Sequence, residues 1–173
     1  MATTYEAIAT VTVGSGGATN IEFTSIPNTF TDIAIKLSAR WDQSGGIDYV
    51  YLQFNNDTST SNYKSLFVRG NGSTTASSSA TSEGKIRAAV LTSTSETAST
   101  FSNCEIYVPN YGSSNQKSTS SDWVGENNAT ATFMGLTAGL WTGTSAITSL
   151  KLTPPSNNFV QYTTATLYGI KNS

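Results

Sequence analysis

Val11–Phe23 reads VTVGSGGATNIEF: a β-like run enters a glycine-rich corner and leaves it on a second short apolar–polar alternation. Two structures fit the glycines. A phosphate-binding loop needs a lysine and a Ser or Thr behind the last glycine, and it opens a helix whose N-terminal N–H groups hold the anion. Here Ala18-Thr19-Asn20 follow the glycines, no lysine precedes Lys36, and Ile21-Glu22-Phe23 carries strand chemistry. The corner is therefore expected to be a hairpin turn, with Gly16 and Gly17 supplying positive φ. That reading removes a nucleotide site and makes a period of two the pattern to follow outward.

The period recurs along the chain. Tyr5–Val13 sets Tyr5, Ala7, Ala9, Val11 and Val13 on one face. Asp32–Trp41 puts Ile33, Ile35, Leu37 and Ala39 on one side and Asp32, Lys36, Ser38 and Arg40 on the other, as in a strand packed on one face and wet on the other. Ile47–Asn55 directs Val50, Leu52 and Phe54 to the core and Tyr49, Tyr51 and Gln53 outward. Ser61–Phe67 is expected to make one short helical turn. Asn71–Gly84, NGSTTASSSATSEG, has no apolar side chain larger than alanine, so it is expected as an exposed loop, or an arm ordered by a neighbour. Lys85–Leu91, Thr100–Val108, Lys117–Glu126, Thr130–Trp141, Ser145–Thr153 and Gln161–Ile170 complete the set. About nine or ten strands with turn signals between them predict an all-β chain. We expect one domain, 1–173, folded as an antiparallel β-sandwich of jelly-roll-like type.

Composition narrows the chemistry. Ser and Thr number 53 and Asn 14, against 12% charged residues, so hydroxyls and amides must wet most of the surface. The net charge is −2 and the nine basic residues are scattered singly, which leaves no stripe to neutralise phosphates; nucleic acid is not an expected partner. No apolar run approaches the roughly 20 residues of a membrane span, and Met1–Glu6 has neither the basic region nor the hydrophobic core of a signal peptide. With no histidine and one cysteine, Ser–His–Asp and Cys–His catalysis and His/Cys zinc sites are excluded. Cys104 keeps phase with Ile106 and Val108, as a small buried hydrophobe would.

Three longer stretches carry a resemblance. IATVTVGSGGATNIEFTSIPNTFTDIAIKLSAR (Ile8–Arg40), YVPNYGSSNQKS (Tyr107–Ser118) and ENNATATFMGLTAGLWTGTSAITSLKLTPPSNNFVQYTTATLYGI (Glu126–Ile170) resemble the opening, middle and ending of small proteins of tailed bacteriophages, especially marine and cyanobacterial ones. The shared motifs are turns and strands. The resemblance implies a non-enzymatic virion structural protein, a capsid decoration or knob protein or a tail-fibre head, with no catalytic residues to carry over. It implies assembly in the host bacterial cytoplasm and a place on the virion. Partners would be other virion proteins of capsid or tail, and further copies of the chain, with a trimer favoured because trimers suit three-fold positions.

Candidate contact residues are Tyr5, Trp41, Tyr49, Tyr51 and Trp123, because aromatics are enriched at interfaces. A second function would be recognition of a host surface glycan, with Trp41 beside Asp42 and Gln43, or Trp123 beside Asp122 and Glu126, as stacking platforms; the plainer reading packs each tryptophan at a strand end. A third would be glycan cleavage by Asp122 with Glu126, a spacing that short polar chains show by chance. Asn55–Ser59 offers oxygens to Ca²⁺ without the usual loop spacing, so a solvated turn is expected there and no metal or cofactor.

Overall fold

The computed structural model describes residues 4–45, 48–125 and 132–171. The chain is nearly all β, in two packed antiparallel sheets. Its strands are β1 (Tyr5–Thr12), β2 (Ile21–Phe23), β3 (Asp32–Ala39), β4 (Asp48–Phe54), β5 (Tyr63–Gly70) and β6 (Thr75–Ala80). They continue as β7 (Ile86–Leu91), β8 (Ser102–Val108), β9 (Lys117–Gly125), β10 (Phe133–Trp141), β11 (Leu150–Thr153) and β12 (Thr164–Ile170). The described residues thus hold 12 strands where nine or ten were expected.

One sheet runs β1-β12-β3-β8-β9-β10-β5-β6 and the other β2-β11-β4-β7. Eight of these strands form a long hairpin wound on itself: β1 pairs with β12, β2 with β11, β3 with β8, and β4 with β7. The chain alternates between the sheets as it goes, which is the jelly roll. The other four strands are two insertions. The β5–β6 hairpin enters between β4 and β7, and β9–β10 between β8 and β11. They join edge to edge, so the large sheet continues from β8 through β9, β10 and β5 to β6.

The hydrophobic alternation explains the core. Ile33, Ile35 and Leu37 of β3 meet Val50, Leu52 and Phe54 of β4 in one cluster with Phe159 and Leu167, all nearly solvent-free. Cys104 belongs to it, and burial pushes its thiol strongly upward, so it is a packed side chain.

Four expectations need correction. The Gly14–Gly17 corner is a turn with Gly17 at φ 70°, but it is no hairpin: β1 and β2 lie in different sheets, and Gly16 has no positive φ. A Cβ on Gly17 would stand 2.9 Å from the Phe159 carbonyl, so close backbone approach also requires glycine there. Ser61–Phe67 is helical only as a 3₁₀ turn at Thr60–Asn62 and then becomes β5. Asn71–Gly84 is exposed as expected, yet its middle is strand β6, held by backbone pairing to β5 rather than by burial. Asp32 and Arg40, expected on the wet face of β3, are buried. Asp32 accepts from the Tyr107 hydroxyl (2.7 Å) and the Asn110 amide (2.8 Å). The Arg40 guanidinium donates to backbone oxygens of Glu96, Thr97 and Thr100.

Candidate interaction surface

The inserted strands present one face inward. On β5, Tyr63 gives its hydroxyl to the Phe54 carbonyl (3.2 Å) and accepts from the Phe54 amide (3.1 Å). Ser65 accepts from the Arg87 amide (3.1 Å), and Phe67 tilts onto Tyr49 with ring centroids 5.0 Å apart. On β10, Trp141 lies against Phe54 and donates its indole N–H to Asp57 (2.7 Å). Gly135 and Gly139 stand between these anchors. Their missing side chains let Trp123 and Ile86 come up to the backbone, since a Cβ would lie 2.4 Å and 2.8 Å from them.

The other face of the same strands is bare. Met134 is 66% exposed, Leu136 59%, Leu66 56% and Val68 49%. Register puts Leu136 opposite Val68, Ala138 opposite Leu66 and Met134 opposite Gly70. Met134 and Leu136 therefore stand as a ridge along β10. Beside it β5 carries Leu66 and Val68, with hollows where Gly70 and the small Ala138 leave space, and the next strand offers only Thr75, Ser77 and Ser79 in line. Two cavities mark these hollows, about 440 Å³ between Val68, Gly70, Thr75 and Met134, and about 450 Å³ between Leu66, Ser79, Ala138 and Leu140. A third of about 260 Å³ lies on the ridge's other flank, against Asn103, Asp122 and Val124.

Among the described residues, charge stays off the centre of this face. Lys64 turns to the Thr81 carbonyl (3.1 Å), and the Arg69 guanidinium lies over the Phe133 ring at 5.6 Å. Asp122 borders it and pairs across strands with Glu105, which in turn holds Lys36. That hydrogen bond is the main reason the Lys36 ammonium sits above its ordinary pKa. Polar rows thus flank an apolar band, with Thr75, Ser77 and Ser79 on one side and Ser120 and Asp122 on the other. Protein contact surfaces share this anatomy.

The five candidate contact residues do not meet. Tyr5 is 48% exposed on β1, at the far edge of the large sheet, edge-on to Tyr168. Trp41 and Trp123 are each 3% exposed, and Tyr49 is buried. Trp123 gives its indole N–H to Thr137 (3.1 Å), while that of Trp41 has no partner among the described residues. Tyr51 is half-buried under the Lys85 ammonium, 3.7 Å from its ring centroid. Trp41, Tyr49 and Trp123 are therefore core residues, and the outward assignment of Tyr49 fails because the inserted strands cover it. The two tryptophans offer no open stacking platform. Glu126, the partner envisaged for Asp122, lies outside the described residues.

Asn55–Ser59 is an internal clamp. The Asn55 side-chain oxygen accepts from the Thr148 and Ser149 amides, and Asp57 accepts from Ser59, Asn62 and Trp141. Partial burial pushes the Asp57 carboxyl up, but these donors outweigh it and hold its pKa down to about 2.

No family model, curated protein or solved structure matches the chain.

The apolar band on β5 and β10 was missed by sequence reading, although a signal was present. YKSLFVRG and FMGLTAGLW carry large apolar residues in both phases of the alternation. A strand with one covered face has no need of the second set.

Proposed function

We propose that this chain is a non-enzymatic structural protein of a bacteriophage virion, present in many copies as a capsid decoration or knob protein on the particle surface. The observation that carries the reading is the bare apolar band on β5 and β10, set in a surface otherwise wetted by hydroxyls and amides. Apolar area left in water on a monomer marks a place of adhesion. Tyr63, Phe67, Trp123 and Trp141 pack the insertions onto the core. Jelly rolls occur among viral capsid domains and also among lectins, so architecture alone does not choose between them. The phage-like stretches Ile8–Arg40, Tyr107–Ser118 and Glu126–Ile170 favour the first. Burial of Trp41 and Trp123 weighs against glycan recognition by a tail-fibre head.

The chain would be synthesised in the host cytoplasm and dock on capsid or tail proteins as a closed homo-oligomer. Quantitative mass spectrometry of purified particles, with cryo-EM of the same preparation, tests this. Hundreds of copies per particle place it on the head, and a few to some tens place it on the tail or a vertex, which would correct the decoration assignment. Its absence from purified particles would overturn the reading altogether.

A further inference from the structure

We propose that the outer face of β5 and β10 is where two copies of this chain meet across a two-fold axis, Met134 of each lying in the hollow at Gly70 of the other and Leu66 of each in the hollow beside Ala138 of the other.

Shape makes the face complementary to itself. A two-fold axis presents the same patch to itself, so a contact that buries knobs must also supply hollows beside them. Here each knob stands in register beside a hollow, Met134 opposite Gly70 and Leu66 opposite the small Ala138, so an axis running along the strands between β10 and β5 sets every knob over a hollow of the second copy. Charge agrees with shape. A patch with an ionised centre would set like charges opposite one another across the axis, whereas this centre is neutral, with Lys64 and Arg69 drawn aside. The same neutrality leaves nothing to hold a nucleic acid or an acidic peptide.

Area is also consistent. Four strands, from β9 through β10 and β5 to β6, at a spacing of about 4.8 Å and about eight residues each at about 3.3 Å, make a plane of about 500 Å². The relief of knobs and hollows adds to this, against the roughly 800 Å² per partner of a standard interface. Ser and Thr rows would form the rim, and the two sheets would stack face to face with aligned strands, as sandwich sheets do. Such a contact gives dimers; it accommodates a three-fold ring only in a dihedral assembly.

The inference rests on the virion reading for its premise that the chain acts in many copies, and it names the surface by which copies join. The test is sedimentation velocity of the full chain over a concentration series, as wild type and as Met134→Glu with Leu136→Glu. Both side chains are more than half exposed, so matching circular dichroism and melting will show that the fold is intact. The wild type is expected as a reversible dimer, little changed by salt, and the double variant as a monomer whose association is weaker by roughly a hundred-fold or more. In a second arm, Val68→Glu, on the β5 side of the same face and half exposed, should weaken association in the same way with the fold intact.

A wild type that stays monomeric up to its solubility limit overturns the inference. So does a dimer that survives the double variant but dissociates in Ser78→Pro. That outcome would move the contact to the free edge of β6, which has no charge or proline and no break in register to block pairing. The virion reading fails separately: particles lacking the protein overturn it whatever the solution state, and a monomer found on particles overturns only the dimer.

Discussion

Arg40 and Asp57 show how a chain poor in charge uses the few charges it has. Arg40 sits just past the end of β3, buried, and its guanidinium donates to the carbonyls of Thr97 (2.7 Å), Thr100 (2.8 Å) and Glu96 (3.1 Å). Those oxygens belong to the connection between β7 and β8, whose stretch Thr92–Thr100 has no large apolar side chain to bury. One cation therefore replaces a small core. Arg40→Ala should cost about 1–3 kcal/mol, since it removes the charge-assisted hydrogen bonds that tie this stretch to the end of β3. Urea denaturation will measure the loss, and hydrogen exchange should show the Trp41 and Thr94 amides losing protection first, because both bond across this connection. Asp57 does the same for the start of β5 and the end of β10. Asp57→Ala strands the buried indole N–H of Trp141 and should cost about 1–3 kcal/mol, seen as a lower melting temperature together with a changed Trp fluorescence. Neither role was legible in the sequence. Alternation placed Arg40 on a wet face, and nothing in ARW or NND announces which backbone groups will come to lie around those side chains.

At the scale of the element, legibility followed the number of covered faces. β3 and β8 alternate cleanly, and their positions were read to within a residue or two. β6 was not read as a strand: Thr-Ala-Ser-Ser-Ser-Ala lacks both β propensity and an apolar face, and its conformation is imposed by the ladder to β5. β4 was assigned correctly, with Val50, Leu52 and Phe54 in the core, but Tyr49 is buried as well, because Phe67 arrives from an insertion to cover it. β10 combines both lessons. Its inner face is shaped by glycine, and its outer face is the apolar band that sequence reading passed over. Gly135→Ala tests the inner face. The new methyl would lie 2.4 Å from the Trp123 ring and 2.5 Å from the Val68 carbonyl, and the latter is backbone that cannot swing away. An overpacking cost of about 1–3 kcal/mol is expected, read from thermal denaturation. Ala138→Ser, on the exposed outer face three residues along, should change stability by less than about 0.5 kcal/mol.

At the scale of the molecule, the sandwich was readable because a period of two with frequent turns permits little else, whereas the sheet crossings were not. The Gly14–Gly17 corner shows why: a turn fixes the change of direction, but whether β2 returns beside β1 or crosses to the other sheet depends on β11 and β12, more than a hundred residues away. Charge scarcity, in contrast, acts on the whole molecule directly and yields a prediction about its pH profile. With no histidine, no side chain has an ordinary pKa between about pH 5 and 8, so stability should be flat across that range. The acid limb comes from Asp57. Its folded pKa of about 2 lies below the ordinary value of 3.8, so its contribution is complete above pH 3.8 and is lost as pH falls towards 2, on the order of 1 kcal/mol after allowance for solvent screening. The alkaline limb has the opposite sign. Donation to Asp32, then burial, pushes the Tyr107 hydroxyl up to about 12 from 10.0, so the stability it supplies is intact below pH 10 and disappears as pH rises towards 12. Urea midpoints measured from pH 2 to pH 11 should trace a plateau with a fall at each end. Tyr107→Phe should remove part of the alkaline fall, and Asp57→Asn should remove part of the acid one. A midpoint that moves steeply between pH 5 and 8 would mean that a carboxylate or amine has been driven into that window by its surroundings, and the account of this surface as electrostatically quiet would then be wrong.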